Sequence, residues 1–232
     1  LHVTKYHDTS HIVHLYTEEL GRVSCAVKFS RSRKGALRPQ LFQSLMLLEV
    51  TLETRASKSI HVMKEARIMV PYTNLLFDPV RGAISMYLAE FLDKVLRGEG
   101  ENKPLFAYLL HSFQWLDCAT KGVANFHLVF LMRLSLFVGI YPNTEDYHAG
   151  DYFDMRASCF VSEMPGHPNF LKPQEAERFS ILMRMRYETM HLFPFDRGQR
   201  IYCLELLTDY YRLHMPDFPP LKSMAVLQEL FS

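Results

Sequence analysis

The sequence predicts an α+β fold, in which a small N-terminal five-stranded barrel precedes an all-helical domain with an irregular insert. Apolar and polar residues alternate up to about residue 70, and apolar residues recur at helical spacing after Pro71. Charge changes at the same place. Residues 1–70 hold 11 Lys and Arg against 6 Asp and Glu, whereas the remaining residues hold 15 against 19. We therefore expect two domains, 1–70 and 71–232.

The N-terminal region shows the two-residue period of half-buried β-strands. Val23, Cys25, Val27 and Phe29 share one face of a segment whose other face is polar. Gly21 suits a hairpin turn just before it, because glycine adopts positive φ without steric cost. The five predicted strands are 1–6, 10–16, 22–29, 48–53 and 58–68. Short strands in this number are typical of a small closed barrel.

Helical spacing begins after Pro71. The six predicted helices are 80–96, 104–119, 123–138, 173–192, 197–214 and 223–231. The helix 123–138 is apolar on most sides, which is typical of a buried central helix. Residues 139–172 show no sustained period and are rich in Gly, Pro, Asp and aromatic residues. We therefore expect an ordered but irregular insert at 142–170.

The sequence contains none of the common enzyme signatures. It has no phosphate-binding P-loop, no GxGxxG, no HExxH and no GxSxG motif. We therefore expect a binding protein and no enzyme. No uncharged apolar run reaches the length of a membrane span, and a cytoplasmic location is expected.

The cysteines and histidines do not predict a metal site. The four cysteines lie far apart without a CxxC pair, a spacing typical neither of zinc sites nor of disulfide frameworks. His148, Cys159 and His167 are weak zinc candidates, because three ligands at wide, irregular spacing carry little information. We expect no metal and no other cofactor.

A basic loop at residues 28–39 is the best functional candidate. It contains no acidic residue. Its five cations are Lys28, Arg31, Arg33, Lys34 and Arg38. Cations on a flexible loop neutralise phosphates and gain affinity by releasing counterions, whatever the base sequence. We predict that these five residues bind nucleic acid; the alternative is a solvated loop on a neutral protein.

Aromatic and methionine residues offer further candidates. Phe29, Tyr16 and Tyr6 are near enough to the loop in sequence to stack on unpaired bases. Phe29 ends an apolar face, which favours a core position instead. Four residues near Arg184 and Arg186 are candidates for a peptide groove, although core packing is the better interpretation. These are Met183, Met185, Met190 and Phe193.

Several segments resemble those of the RecO family of bacterial recombination mediators. They are TEELGRVS at Thr17–Ser24, GALRP at Gly35–Pro39, LLEV at Leu47–Val50, GIYPN at Gly139–Asn143 and PLKS at Pro220–Ser223. Their order and spacing carry the resemblance, which spans the chain from Tyr6 to Phe231.

The resemblance implies an oligonucleotide-binding (OB) barrel followed by a helical domain. It implies binding of single- and double-stranded DNA, annealing of complementary strands and loading of RecA onto SSB-coated DNA at the nucleoid. The implied partners are RecR, the C-terminal tail of SSB and, indirectly, RecA. For the SSB tail, charge and position favour Arg133, Arg184 and Arg186. Many RecO proteins carry a four-cysteine zinc site in the insert, where this chain has Cys159 alone, so we expect none here.

Two other functions fit the same residues. An RNA-binding OB protein is the first, because a cationic barrel does not by itself distinguish the sugars. Competition between matched DNA and RNA strands separates it from a DNA-binding protein. A helical protein–protein adaptor is the second, and it predicts no nucleic-acid affinity even at low salt.

Overall fold

A computed structural model describes residues 1–6, 10–29, 37–54, 59–143, 145, 147–215 and 217–230. The chain forms two compact units. The first contains Leu1–Cys118 and Leu221–Leu227, and the second contains Ala119–Pro220 and Gln228–Ser232. The expected division into domains 1–70 and 71–232 stays a prediction.

The first unit begins with a five-stranded sheet, as predicted. Its strands are β1 (His2–Lys5), β2 (Ser10–Thr17), β3 (Gly21–Lys28), β4 (Leu48–Glu53) and β5 (Ile60–Ile68). The strand order is β1-β2-β3-β5-β4. β3 and β5 pair in parallel and the other neighbours pair antiparallel. This arrangement is consistent with the expected OB fold.

One apolar core lies inside this sheet. Val13, Cys25, Val27 and Met63 are buried at its centre. Burial raises the pKa of the Cys25 thiol to about 11, so it is a small apolar residue rather than a reactive one. Phe29 packs against this core, which confirms the core interpretation of its side chain.

Helices follow the barrel. They are α1 (Pro79–Val95), α2 (Lys103–Cys118), α3 (Phe126–Phe137), α4 (Pro173–Arg184), α5 (Arg197–His214) and α6 (Ser223–Leu230). Short 3-10 helices cover Pro39–Phe42, Val123–Asn125 and Met190–Leu192. The carboxylate of Asp78 accepts the backbone N–H of Arg81 at 2.9 Å and so caps α1, which ends before Gly98 at φ +86°. α3 is buried along most of its length, as its sequence predicts.

The predicted helix 173–192 is wrong in its second half, since α4 ends at Arg184. A side chain of the second unit binds the segment that follows α4. The amide of Asn125 donates hydrogen bonds to the carbonyl oxygens of Met190 at 3.0 Å and Phe193 at 2.8 Å. These contacts hold the 3-10 helix Met190–Leu192, which lies within the range predicted as α-helix. Both Met185 and Met190 are buried, which confirms core packing for these two.

The insert has more regular structure than its sequence indicates. It contains β6 (Tyr152–Asp154), β7 (Cys159–Val161) and β8 (Phe170–Leu171), in the order β7-β6-β8. The central residue of β6, Phe153, is fully buried against Phe160 and Phe179. Strands of two or three residues are too short to show a period.

Within the described part of the chain, no helix has the length and apolar character needed to cross a membrane.

Candidate nucleic-acid interface

The turn between β2 and β3 is packed tightly against the loop that follows α1. Gly21 has φ +64°, and a Cβ atom at this position would lie 2.2 Å from the backbone C and O atoms of Gly100. The backbone N–H of Arg22 donates to the carbonyl of Glu99 at 2.9 Å. Glycine is therefore required here both for its backbone conformation and for its lack of a side chain.

The side chain of Arg22 is buried in an ion pair with α1. Its guanidinium lies 2.5 Å from Asp93 Oδ1 and also contacts His14 Nδ1, while Lys94 Nζ lies 3.2 Å from Asp93 Oδ2. Burial opposes ionisation of Asp93, yet Arg22 and Lys94 outweigh it and hold the carboxyl pKa below its usual value. Arg22 is thus a structural cation and is not available to a ligand.

Two other barrel cations are paired with acids on β4. Arg67 on β5 binds Glu49 in a bidentate pair, with Nε–Oε2 at 3.0 Å and Nη2–Oε1 at 2.7 Å. Lys64 Nζ lies 2.6 Å from Glu53 Oε2. Both pairs are at the surface, and each removes the net charge that would attract a phosphate.

The remaining described cations of the barrel have no acidic partner within the described residues. Lys28 ends β3, and Arg38 immediately precedes the 3-10 helix Pro39–Phe42; both are exposed. They lie near the two ends of the basic loop 28–39. Lys5, at the end of β1, is exposed in the same way. Lys5 lies outside the basic loop and was not predicted, although a lysine that ends an alternating strand is a signal that points to it.

The other three predicted nucleic-acid contacts, Arg31, Arg33 and Lys34, lie outside the described residues. The assignment of all five cations to DNA therefore stays a prediction, with Lys28 and Arg38 located and exposed.

The three aromatic candidates have different surroundings. The ring of Phe29 packs at a tilt against His11 and Phe42, with centroid separations of 4.4 and 5.4 Å. The hydroxyl of Tyr16 donates to Gly100 O at 3.4 Å, and burial together with Glu99 raises its pKa to about 12. Tyr6 is 59% exposed. Of these three rings, Tyr6 is the most exposed.

The cations suggested for the SSB tail lie in the second unit. Arg133 is half-buried on α3, whereas Arg184 and Arg186 are exposed at and just after the end of α4. Arg184 Nε donates to Ser180 O in the preceding turn at 3.3 Å. Among the described residues, none of the three forms an ion pair. Their assignment to a partner stays a prediction.

The insert is held together by a carboxylate. Asp154 accepts the backbone N–H groups of Arg156 at 2.8 Å and Ala157 at 3.0 Å, and its Oδ2 lies 3.2 Å from His167 Nε2. Burial opposes ionisation of Asp154, but the N–H donors and His167 outweigh it and lower the carboxyl pKa. Burial and the charge of Asp154 raise the pKa of Cys159.

This part of the insert does not fit a zinc ion. His148 pairs with Asp151 at 3.5 Å, away from the contact between His167 and Asp154. Across the described ranges, no three His, Cys, Asp or Glu side chains are grouped as metal ligands.

Comparison with known proteins identifies the family. The family model "Recombination protein O N terminal" matches residues 1–72, and "Recombination protein O C terminal" matches residues 76–225. The chain belongs to the RecO family. Its relatives include the DNA repair protein RecO of Phocaeicola vulgatus, which is 54% identical over 232 residues and covers 100% of this chain and 96% of that protein.

Other RecO proteins are similar over the same length. The DNA repair protein RecO of Bacteroides fragilis is 53% identical, with 100% of this chain and 96% of the relative covered. That of Porphyromonas gingivalis is 34% identical over 237 residues, with the same coverage. The family places this chain among DNA repair and recombination proteins.

Two RecO-like segments have a structural explanation. The segment Thr17–Ser24 contains Gly21 and Arg22, which attach the barrel to α1 and its following loop. In the segment Pro220–Ser223, the N–H groups of Lys222 and Ser223 donate to the carboxylate of Glu90 at 3.1 and 2.8 Å. Glu90 thus binds the N-terminus of α6 from α1, where a negative charge is favourable. These segments identify the fold rather than the ligand site.

Proposed function

We propose that this RecO protein binds single- and double-stranded DNA without sequence preference, anneals complementary strands and helps to load RecA onto SSB-coated DNA. The observation that carries the proposal is the contrast among the barrel cations. Arg22, Lys64 and Arg67 are neutralised by carboxylates, whereas Lys28 and Arg38, near the two ends of the basic loop, are exposed and have no carboxylate partner among the described residues. Unpaired cations retain the charge that attracts a polyanion.

Annealing follows from this charge without bond chemistry. Two DNA strands repel each other through their phosphates, and cations that neutralise both strands reduce this repulsion and raise their local concentration. The proposed activity therefore requires no catalytic residue, metal or cofactor.

The proposed protein partners are RecR and the C-terminal tail of SSB. A tail that is acidic and apolar would be attracted by guanidinium groups beside apolar helix surface. Arg133, Arg184 and Arg186 are the proposed contacts, since none of them has an acidic partner within the described residues. RecA would take part indirectly, after SSB has been displaced from the strand.

Salt dependence of DNA binding tests the proposal. In the triple variant Arg31→Ala, Arg33→Ala and Lys34→Ala, the slope of log affinity against log salt should fall by about 2 to 3. The matched control removes three cations that are ion-paired, namely Lys64, Arg67 and Lys103. Its net charge changes equally, but its slope should stay near that of the wild type.

The binding measurements separate the proposed function from its alternatives. An unchanged slope in the loop variant would remove the loop as the contact site. A matched RNA strand that competes as well as DNA would favour the RNA-binding alternative, and absence of nucleic-acid binding at low salt would favour the adaptor. A strand-annealing assay with and without SSB tests the mediator role.

A further inference from the structure

We infer that Asp154, His167 and Asn169 form a clasp that fixes the insert without metal, in place of the four-cysteine zinc site of many RecO proteins. The inference concerns the stability of the second unit and does not depend on the proposed DNA binding. The observation that carries it is a single carboxylate that joins the turn between β6 and β7 to the segment before β8.

Asp154 lies at the end of the central strand of the insert sheet. Its cross-strand partners are Cys159 on β7 and Phe170 on β8. The two outer strands lie on opposite sides of β6 and do not pair with each other. A side chain in this position is next to the turn that leads into β7 and to the segment that leads into β8. It can therefore connect the two halves of the sheet.

The two carboxylate oxygens of Asp154 bind different parts of the insert. Oδ1 accepts the backbone N–H groups of Arg156 at 2.8 Å and Ala157 at 3.0 Å, which fixes the turn. Oδ2 lies 3.2 Å from His167 Nε2 in the segment before β8. The side chains of His167 and Asp154 are only 22% and 16% exposed. Hydrogen bonds to a charged acceptor are stronger than those between neutral groups, and partial burial limits competition from water.

The imidazole of His167 closes the clasp. Its Nδ1 accepts the backbone N–H of Asn169 at 3.2 Å. Since Nδ1 is an acceptor, the neutral ring carries its proton on Nε2 and donates it to Asp154. The carbonyl of Asn169 in turn accepts the backbone N–H of Met155 at 3.1 Å, which leads back to the turn. The contacts therefore form a closed circuit through the turn and the segment before β8.

These contacts use the groups that a zinc ion would need. Structural zinc takes four ligands, mostly thiolates and imidazole nitrogens. Both ring nitrogens of His167 are engaged within the clasp, so its lone pair is not available to a metal. Cys159 is the one cysteine of the insert, and its other histidine, His148, lies 3.5 Å from Asp151. A zinc ion would have to break the clasp and would still lack a full set of ligands.

A structural metal and the clasp meet the same physical need. The strands of the insert have two or three residues each, and backbone pairing alone gives little stability to a sheet of this size. A structural zinc stabilises such a segment by connecting side chains that lie apart in the sequence. Asp154 and His167 are 13 positions apart and make this connection with hydrogen bonds.

Metal analysis and residue-resolved hydrogen exchange of the full chain test the inference. After expression in zinc-supplemented medium, we expect well below one zinc per chain, and insert amides that exchange equally fast with and without EDTA. Asp154→Ala should accelerate exchange of the Met155 and Asn169 amides at least about tenfold. These amides do not bind Asp154 themselves, so their response reports the closed circuit. Glu163→Ala is the matched control, because it removes an exposed carboxylate from the same insert, and it should leave both rates unchanged.

A second variant decides the result if Asp154→Ala does not fold. His167→Ala keeps the carboxylate and its bonds to the turn, and it should accelerate exchange of the Asn169 amide more than that of Ala157. One equivalent of bound zinc, with faster exchange in the insert after EDTA treatment, would overturn the inference. Insert exchange rates in the Asp154 and His167 variants that match those of Glu163→Ala would also overturn it.

Discussion

The two ends of the sheet formed by β1, β2 and β3 differ in how they use charge. At the end near the hairpin turn, Arg22 is buried against Asp93 of α1 and its charge is neutralised inside the protein. At the opposite end, Lys5 and Lys28 are exposed and have no acidic partner among the described residues. The same three strands thus supply a packing surface at one end and a cationic surface at the other.

This difference shows that a count of basic residues overstates the charge available to a ligand. Of the six barrel cations that the structure describes, three are in ion pairs. The charge that a ligand of residues 1–70 would meet therefore comes mainly from Lys5 and from the basic loop, which includes Lys28 and Arg38. Neutralised cations contribute to the fold, and unpaired cations contribute to the field that a polyanion meets.

The largest expected loss of stability comes from breaking the buried ion pair between Arg22 and Asp93. Replacement of Asp93 by Ala leaves the guanidinium of Arg22 buried without its counter-charge, and we expect a loss of about 3 kcal/mol in the free energy of unfolding. Urea denaturation measures it. The control Glu49→Ala breaks an exposed pair and should leave the midpoint nearly unchanged. Similar urea midpoints for the two variants would contradict the larger contribution of the buried ion pair to stability.

A smaller loss is expected at the hairpin turn. Gly21→Ala places a Cβ atom against the backbone of Gly100 and forces a positive φ on an L-residue, which should destabilise the protein by about 2 kcal/mol. Gly82→Ala is the matched control, because it lies within α1 with no atom within 4 Å of the added Cβ. It should stabilise the protein by about 0.5–1 kcal/mol. Thermal denaturation of the two variants measures these changes in stability. Equal changes would show that the backbone of Gly21 does not approach Gly100 closely.

Acid should destabilise the protein by protonating Asp93 in its ion pair with Arg22. The pKa of the Asp93 carboxyl is lower in the folded protein than in the unfolded chain, where an Asp side chain has a pKa of about 3.9. Its stabilisation is therefore complete above the unfolded pKa and is lost as the pH falls through the folded pKa. We expect Asp93→Asn to lose less stability than the wild type between about pH 5 and pH 3, as measured by urea midpoints. A parallel decline of both proteins would show that Asp93 does not contribute.

Local patterns were sufficient to predict much of the fold. The alternation of Val23, Cys25 and Val27 identified β3 and its buried face, and helical spacing identified α1 and α2 within one residue at each end. These features depend on neighbours a few positions apart. The strands of the insert were missed because they are too short to show a period. The 3-10 helix Met190–Leu192 was missed because its contact with Asn125 joins residues far apart in the sequence.

The candidate site was predictable to a smaller extent. The exposure of Lys28 and Arg38 agrees with the charge run in the sequence, but the neutralisation of Arg22 depends on Asp93, which lies 71 positions away. No pattern of neighbouring residues in the sequence indicates an ion pair of this kind. The same limit applies to Tyr16, whose hydroxyl contacts Gly100, 84 positions away.

The salt dependence of DNA binding in two charge-matched variants tests the central claim most directly. One variant carries Lys28→Gln and Arg38→Gln at unpaired sites, and the other carries Lys64→Gln and Arg67→Gln at paired sites. We expect the first to lower the slope of log affinity against log salt by about 2 on duplex DNA, and the second to leave it near the wild-type value. Equal slopes in the two variants would show that the position and ion pairing of these cations do not affect DNA binding. That result would contradict the proposed contact site.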